Sequence, residues 1–295
     1  MNYLLYLVYG SGGYTQEALY SLISYYRLHI QDENQVVIYT DDPAPFKKLL
    51  PDTVIYVPLT AMQLQEWKGG IDFNHRIKIK AIEDACTRFT GNILYIDTDT
   101  YFTKNISGLF KEISNKAIIF HKSEGRLIDN PGGIAAKTRK FLKQHNLFAL
   151  KSQEQPVKLD SKLEVWNAGT IGFNSQYNNN LVLVEELTDA LYSKYALFVM
   201  EQIAFSYVFG RITSPKPAED YIHHYWYFKE FKTVLKHFFT FHEGKSLPDL
   251  QIEIDKINPE HLSTEKRTYK KMSFWKKQFT RLTKGRKWKI ADYTL

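Results

Sequence analysis

The chain reads as an α/β protein, with a mainly parallel central sheet flanked by helices and a basic helical tail. Three observations predict this. Short apolar runs alternate with stretches of helical periodicity through the first half, the order produced when crossover helices join parallel strands. The run Ile93-Leu94-Tyr95-Ile96 is apolar at every position, as strands covered on both faces are. Finally, eleven Lys and Arg occur without one Asp or Glu across residues 266–290, which sets a cationic end apart from the rest.

The elements follow in order. Residues 4–9 form an apolar run ended by Gly10, and Thr15 offers an N-cap for a helix through Leu19, Leu22, Ile23 and Tyr26. A second strand at 36–39 stops at Asp41-Asp42-Pro43, and a third at 54–57 stops at Pro58. From 74 to 89 the positions Ile77, Ala81, Ile82, Ala85 and Phe89 recur at helical spacing, with Asp72 or Asn74 as caps. The turn Thr90-Gly91-Asn92 then leads into the strand 93–96, and the acidic segment Asp97-Thr98-Asp99 follows at once. Beyond it the pattern predicts strands at 118–120 and 171–173, a turn at Pro131-Gly132-Gly133 and a polar loop over 151–162. Helices are expected over 181–195 and 198–209.

Composition bounds the setting. At 295 residues with 44% hydrophobic and 24% charged content, a sizeable core is available. The single cysteine, Cys86, can build neither a disulfide framework nor a cysteine metal site, which suits a reducing, cytoplasmic protein. The opening MNYLLYLVYGSGG has no basic leader and reads as a first strand rather than a signal peptide, and no transmembrane helix is expected. Net charge is +7, from 39 basic and 32 acidic residues; without 266–290 it becomes 28 minus 32, or −4. The body at 1–262 is thus mildly acidic and the segment 263–295 strongly basic. An acidic body argues against a nucleic-acid binder, so no nucleic-acid partner is expected despite the tail.

The chemistry centres on ILYIDTDTYF. Two carboxylates at i and i+2 after an extended strand project to the same side. Ligands of open α/β sheets bind beyond the carboxyl ends of strands, and paired carboxylates there favour a bound cation over mutual repulsion. Mg²⁺ or Mn²⁺ would take one or two such oxygens and complete its shell with phosphate. The competing reading is an acidic turn in which Asp97 or Asp99 merely caps a helix.

The segment resembles the DxD motif of GT-A fold glycosyltransferases, including glycogenin-like and related bacterial nucleotide-sugar transferases. Other pieces carry the likeness in the same order: VYGSGGYTQEALYSLISY, HRIKIKAIEDA, EVWNAGTIGFN, MEQIAF and HHYWYFKEF. Together they cover residues 3 to 231. The resemblance implies a Rossmann-like GT-A architecture and a metal-dependent, hexosyltransferase-type enzyme. Its cofactors would be Mn²⁺ or Mg²⁺ and a nucleotide-sugar donor, a UDP-sugar first of all, with a glycan or lipid-linked acceptor. It places Tyr9, Gly10, Ser11 and Gly12 at the nucleotide, Arg76 and Lys80 toward the diphosphate, and Asp97 and Thr98 at the donor. Asn167, Ala168, Gly169 and Gln202 would line the sugar pocket. Asp97, Asp99 and His224 would hold the metal, and Glu201 or Asp160 would serve as general base if the reaction inverts.

Each residue type also has its own reading. Gly10, Gly12 and Gly13 allow a close backbone approach to a nucleotide or form a plain turn. Arg76, Lys78 and Lys80 can neutralise phosphate or lie solvated on a helix. Glu201 and Gln202 interrupt an apolar run, so Glu201 either faces a reaction centre or caps the helix. His223 and His224 are metal candidates or structural. A sugar nucleotidyltransferase is the other enzyme class, though no GxGTRL-like segment is present. In the tail, Met272, Trp275, Phe279 and Leu282 share one helical stripe among lysines and arginines. That stripe either packs on the body or lies peripherally on an anionic membrane, at its inner face.

Overall fold

The computed structural model describes residues 1–28 and 34–295. The first strand, β1 (Asn2–Val8), sits inside a seven-stranded sheet between β2 (Gln35–Thr40) and β4 (Asn92–Ile96), with β3 (Ile55–Pro58) beyond β2, all parallel. After β4 the chain makes the short strand β5 (Thr100–Phe102), then β6 (Ile119–Phe120), β7 (Ser123–Arg126), β8 (Glu164–Trp166), β9 (Thr170–Asn174), β10 (Lys216–Pro217) and β11 (Ile222–His224). Across the main sheet the order is β10-β6-β9-β4-β1-β2-β3, with β9 antiparallel to both its neighbours. Three small antiparallel pairs accompany it among the described residues: β7 with β8, β5 with β11, and the two-residue strands Leu147–Phe148 and Val157–Lys158, the second of which interrupts the polar loop expected over 151–162.

Strict alternation explains why these strands hold their register. Tyr3 and Leu5 of β1, with Ile93 and Tyr95 of β4, enter one apolar layer; Leu4, Tyr6, Leu94 and Ile96 enter the other. Both faces are covered by helices, so the runs are apolar throughout. The helices that matter are α1 (Tyr14–Leu28), α2 (Asn74–Arg88), α3 (Asn179–Lys194), α4 (Met200–Phe209) and α5 (Phe231–Phe241). Among the described residues no helix is long and apolar enough to cross a membrane.

Two helix starts differ from expectation. Gly10, Gly12 and Gly13 all take positive φ, at 73°, 102° and 83°, and this loop delivers the chain directly into α1 at Tyr14. The Glu17 N–H closes the first turn on the Gly13 carbonyl at 3.1 Å, so Thr15 lies within the helix instead of capping it. At α2 the cap position is Phe73 and no side chain caps it; Asp72 is spent on the preceding turn at φ 49°.

The composition-defined tail divides into parts. Helix α6 (Thr264–Lys271) docks on the body through Lys266, which is buried and paired with Glu230. Residues 290–295 fold back as well: the Ala291 N–H donates to the Leu262 carbonyl at 3.2 Å, and Tyr293 and Leu295 pack on the cluster around Phe231 and Phe238. Between them α7 (Phe274–Lys284) buries no residue. The helix breaks at Met272 and Ser273, so Met272 leaves the stripe that sequence spacing gave it.

Candidate active site

The segment Asp97-Thr98-Asp99 bridges β4 and β5 and is pinned by its backbone at both ends. The Asp97 N–H donates to the Gly169 carbonyl at 2.8 Å, and the Asp99 carbonyl accepts from the Tyr225 N–H at 2.9 Å. Beneath it runs a buried hydroxyl chain. Tyr6 Oη lies 2.8 Å from Ser21 Oγ, Ser21 Oγ lies 2.7 Å from Thr100 Oγ1, and Thr100 donates to the Asp97 carbonyl at 2.9 Å. One direction of donation satisfies every member, which makes the turn rigid.

Held this way, Asp97, Asp99 and His224 bring one ligand atom each within 4.8 Å of one another. His224 Nε2 is 2.9 Å from Asp99 Oδ1, and its Nδ1 is 3.0 Å from Asn167 Oδ1. The Asn167 amide has its own orientation set, since Oδ1 also accepts the Gly169 N–H at 3.1 Å and Nδ2 donates to Glu124 Oε1 at 3.1 Å. Nδ1–H of His224 therefore donates to Asn167, and Nε2 is aimed at the acidic pair, where it bonds Asp99 and stands in position to ligate an ion. Gly169 is obligatory here for a steric reason: a Cβ would stand 2.2 Å from the His224 ring. Burial raises the Asp99 carboxyl, but His224 and then Lys229 outweigh it and hold the group well below the usual carboxylate range. Two carboxylates and an oriented imidazole are hard and borderline donors of the kind that Mn²⁺ and Mg²⁺ accept. The residues fit the ion.

Asp97 has a second neighbour. Lys78, buried on α2, reaches Asp97 Oδ1 at 3.2 Å, Glu201 Oε1 at 3.1 Å and the Ala168 carbonyl at 3.2 Å. Burial lowers an ammonium's pKa, yet Asp97 and then Glu201 outweigh it and hold Lys78 above its ordinary value. Glu201 is thereby a paired carboxylate in the cavity wall, and its Oε2 accepts its neighbour's Gln202 N–H at 2.8 Å.

A cavity of about 780 Å³ opens over this cluster, within the usual range for small-molecule sites. Tyr9, Gly10 and Ser11 form one wall, Asn167, Ala168 and Gly169 another, and Thr98, Glu201, Gln202 and Lys229 complete it. Gly12 stands behind the wall, where its carbonyl accepts from Lys232 Nζ at 3.0 Å. Lys232 also pairs with Glu17 at 3.3 Å, tying α5 to the glycine loop. Burial, then the Asp99 charge, pushes the Glu17 carboxyl up to about 7 despite Lys232.

Three expected residues go elsewhere. Arg76 pairs with Glu185 and Asp189 of α3 and donates to the Trp67 carbonyl, and Lys80 pairs with Glu83 and Glu185. Positions 76 and 80 share one helix face, whereas 78, about 200° round from 76, points at the sheet end. Lys78 therefore meets the acids, and the two stronger sequence candidates brace α2 on α3. Asp160 lines a different hollow with Lys158, Lys162 and Arg211, its carboxylate accepting the Lys162 N–H at 2.7 Å.

Glu124 was missed by sequence reasoning. From β7 it accepts Asn167 Nδ2 and, at 3.1 Å, Gln202 Nε2, joining two walls of the cavity. Within KSEGR it looks like any surface turn, and nothing local marks it. Lys229 had a signal: it lies inside HHYWYFKEF, five residues beyond His224, and its Nζ sits 3.3 Å from Asp99 Oδ2.

No protein-family model matches the chain, and no curated protein sequence matches it. Solved structures do. Mouse xyloside xylosyltransferase 1, apo form, is similar with a TM-score of 0.47 and 15% identity, covering 72% of this chain and 82% of that one. Galactosyltransferase LgtC, in complex with donor and acceptor sugar analogs, gives 0.46 and 11%, over 70% of each chain. The glycosyltransferase GlyE of Streptococcus pneumoniae TIGR4 gives 0.45 and 12%, over 82% of this chain and 51% of that one.

Proposed function

We propose that this protein is a GT-A glycosyltransferase that moves a sugar from a nucleotide-diphosphate donor, a UDP-sugar first of all, to a glycan or lipid-linked acceptor. The observation that carries this reading is one cavity shared by the glycine loop after β1 and the Asp97–Asp99–His224 cluster. A base and ribose fit against Tyr9 and the Gly10–Ser11 backbone, where the space beside Gly10 is open. The diphosphate then lies toward Asp97, Asp99 and His224, which would hold Mn²⁺ or Mg²⁺; such an ion, when bound, offsets the charge that builds on the leaving diphosphate.

The chain's own residues do the rest. Lys229, exposed and close to Asp99, is free to swing onto a phosphate oxygen and meet the same charge. Asn167, Glu124 and Gln202 form a hydrogen-bonded rail along the sugar subsite and orient hydroxyls there. Glu201 faces this space with Oε1 on Lys78, which suits an electrostatic partner for a positive anomeric centre. Arg76, Lys80 and Asp160 lie outside the cavity and are given no role in this reading.

We place the protein in the cytoplasm, on the strength of its one unpaired, buried cysteine, and peripherally at the inner membrane face through 266–290. The test is a thermal-shift panel of nucleotide sugars with and without Mn²⁺, followed by transfer assays. One donor should raise the melting midpoint only with metal, and Asp99→Asn should fold normally yet lose transfer by about a hundredfold or more. Pyrophosphate exchange in place of transfer, or undiminished activity in Asp99→Asn, would refute the proposal.

A further inference from the structure

Helix α7 holds an apolar stripe that the protein does not use. Trp275, Phe279 and Leu282 fall along one face at i, i+4 and i+7, with Phe274 beside them, and they are 80%, 68%, 83% and 64% exposed. A stripe of this kind normally marks the side a helix turns to the core. In α1 the comparable face is wholly covered, with Leu19, Leu22 and Ile23 all buried. Here the described residues leave it open, which marks it as a contact surface.

The charges say for what. Lys276 and Arg281 flank the stripe, and Lys277 and Lys284 lie opposite, followed by Arg286, Lys287 and Lys289. Among the described residues, Lys276, Lys277 and Arg281 have no acidic partner. A partner must therefore offer an apolar layer for the stripe and anions along its edges. A nucleic acid would need the cations on the contacting face and has no layer to bury Leu282. An anionic bilayer meets both demands, its acyl boundary taking the aromatics and its headgroups the lysines.

We propose that α7 is an interfacial helix that docks the protein on anionic phospholipid, with Trp275, Phe279 and Leu282 inserted at the headgroup boundary. The helix is well bounded for this, starting at Ser273 and stopped at Gly285 in a left-handed turn of φ 64°. Its position ties docking to the cavity. Lys270, four residues before α7, sits 5.8 Å from the ring of Trp226, a cavity-wall residue. Docking thus sets the cavity rim beside the bilayer, which, if the reading of the site holds, selects a lipid-linked acceptor. The docking itself does not depend on that reading.

The experiment is co-sedimentation of the full chain with vesicles of phosphatidylcholine alone and of phosphatidylcholine mixed with phosphatidylglycerol. The wild type should bind only the mixed vesicles. The triple variant Trp275→Ala/Phe279→Ala/Leu282→Ala should bind at least about tenfold more weakly with an unchanged melting midpoint, since its targets are exposed. A second variant, Lys276→Gln/Lys277→Gln/Arg281→Gln, removes charge with the stripe intact and should also lose binding. Failure of the wild type to sediment with mixed vesicles, or binding by either variant as tight as the wild type's, would overturn the proposal. So would retention on a single-stranded oligonucleotide without retention on vesicles.

Discussion

Beside His224 there is room for a hydrogen and nothing larger at position 169. Gly169→Ala must push the imidazole off Asn167, and we expect a cost of about 1–3 kcal/mol in stability. Metal affinity should fall by about tenfold or more, because Nε2 loses its aim. Calorimetric Mn²⁺ titration beside a denaturation curve separates the two effects. Thr100 gives a milder version of the same argument. Thr100→Val leaves Ser21 Oγ and the Asp97 carbonyl without their partner and should cost about 1–3 kcal/mol. Thr100→Ser keeps the hydroxyl and should keep most of the stability, which urea unfolding of the pair would reveal.

Three elements meet at Lys78. Its ammonium joins α2 to the end of β4 through Asp97 and to α4 through Glu201. Lys78→Met would leave the buried Glu201 without its ammonium partner, which costs about 3–5 kcal/mol. Adding Glu201→Gln should recover a large part of that loss, because the stranded charge disappears with its partner. Equal stability of the single and double variants, measured by denaturation midpoint, would show that Lys78 acts through packing alone. The neighbouring faces of α2 illustrate how much an element's rotation decides. Arg76 and Lys80 carry the same charge two residues away and spend it on α3.

Across the whole molecule, the parallel half of the sheet was readable because β1, β2, β3 and β4 are apolar at nearly every position, and Gly or Pro closes the first three runs. The convergence of Asp97 and Asp99 was readable for the same reason, since alternation carries past the end of β4. Other parts had no such signal. Strand β10 is two residues long and exists only through its neighbour in the sheet. Glu124 and Glu17 reach the cavity from a short strand and a helix start that look ordinary in sequence, and only the fold brings them there. The start of α1 escaped because glycine geometry, not a capping side chain, sets it. Cys86 tests the integrity of the packed body as a unit. Burial and then the nearby Glu83 charge push its thiol up to about 12, so it stays protonated at neutral pH and lacks the reactive thiolate. Ellman's reagent should modify it only as fast as the protein unfolds; rapid labelling of the folded chain would mean that the layer between the sheet and α2 is open.

The central claim is that the acidic pair and His224 hold a cation against a donor diphosphate. Calorimetric titration of the preferred nucleotide sugar, with and without Mn²⁺, into wild type and Asp99→Asn tests it most directly. Wild type should bind only with the ion present, and Asp99→Asn should lose about tenfold or more in affinity at an unchanged melting midpoint. Equal binding by the two proteins, or binding by wild type that ignores the ion, would contradict the account.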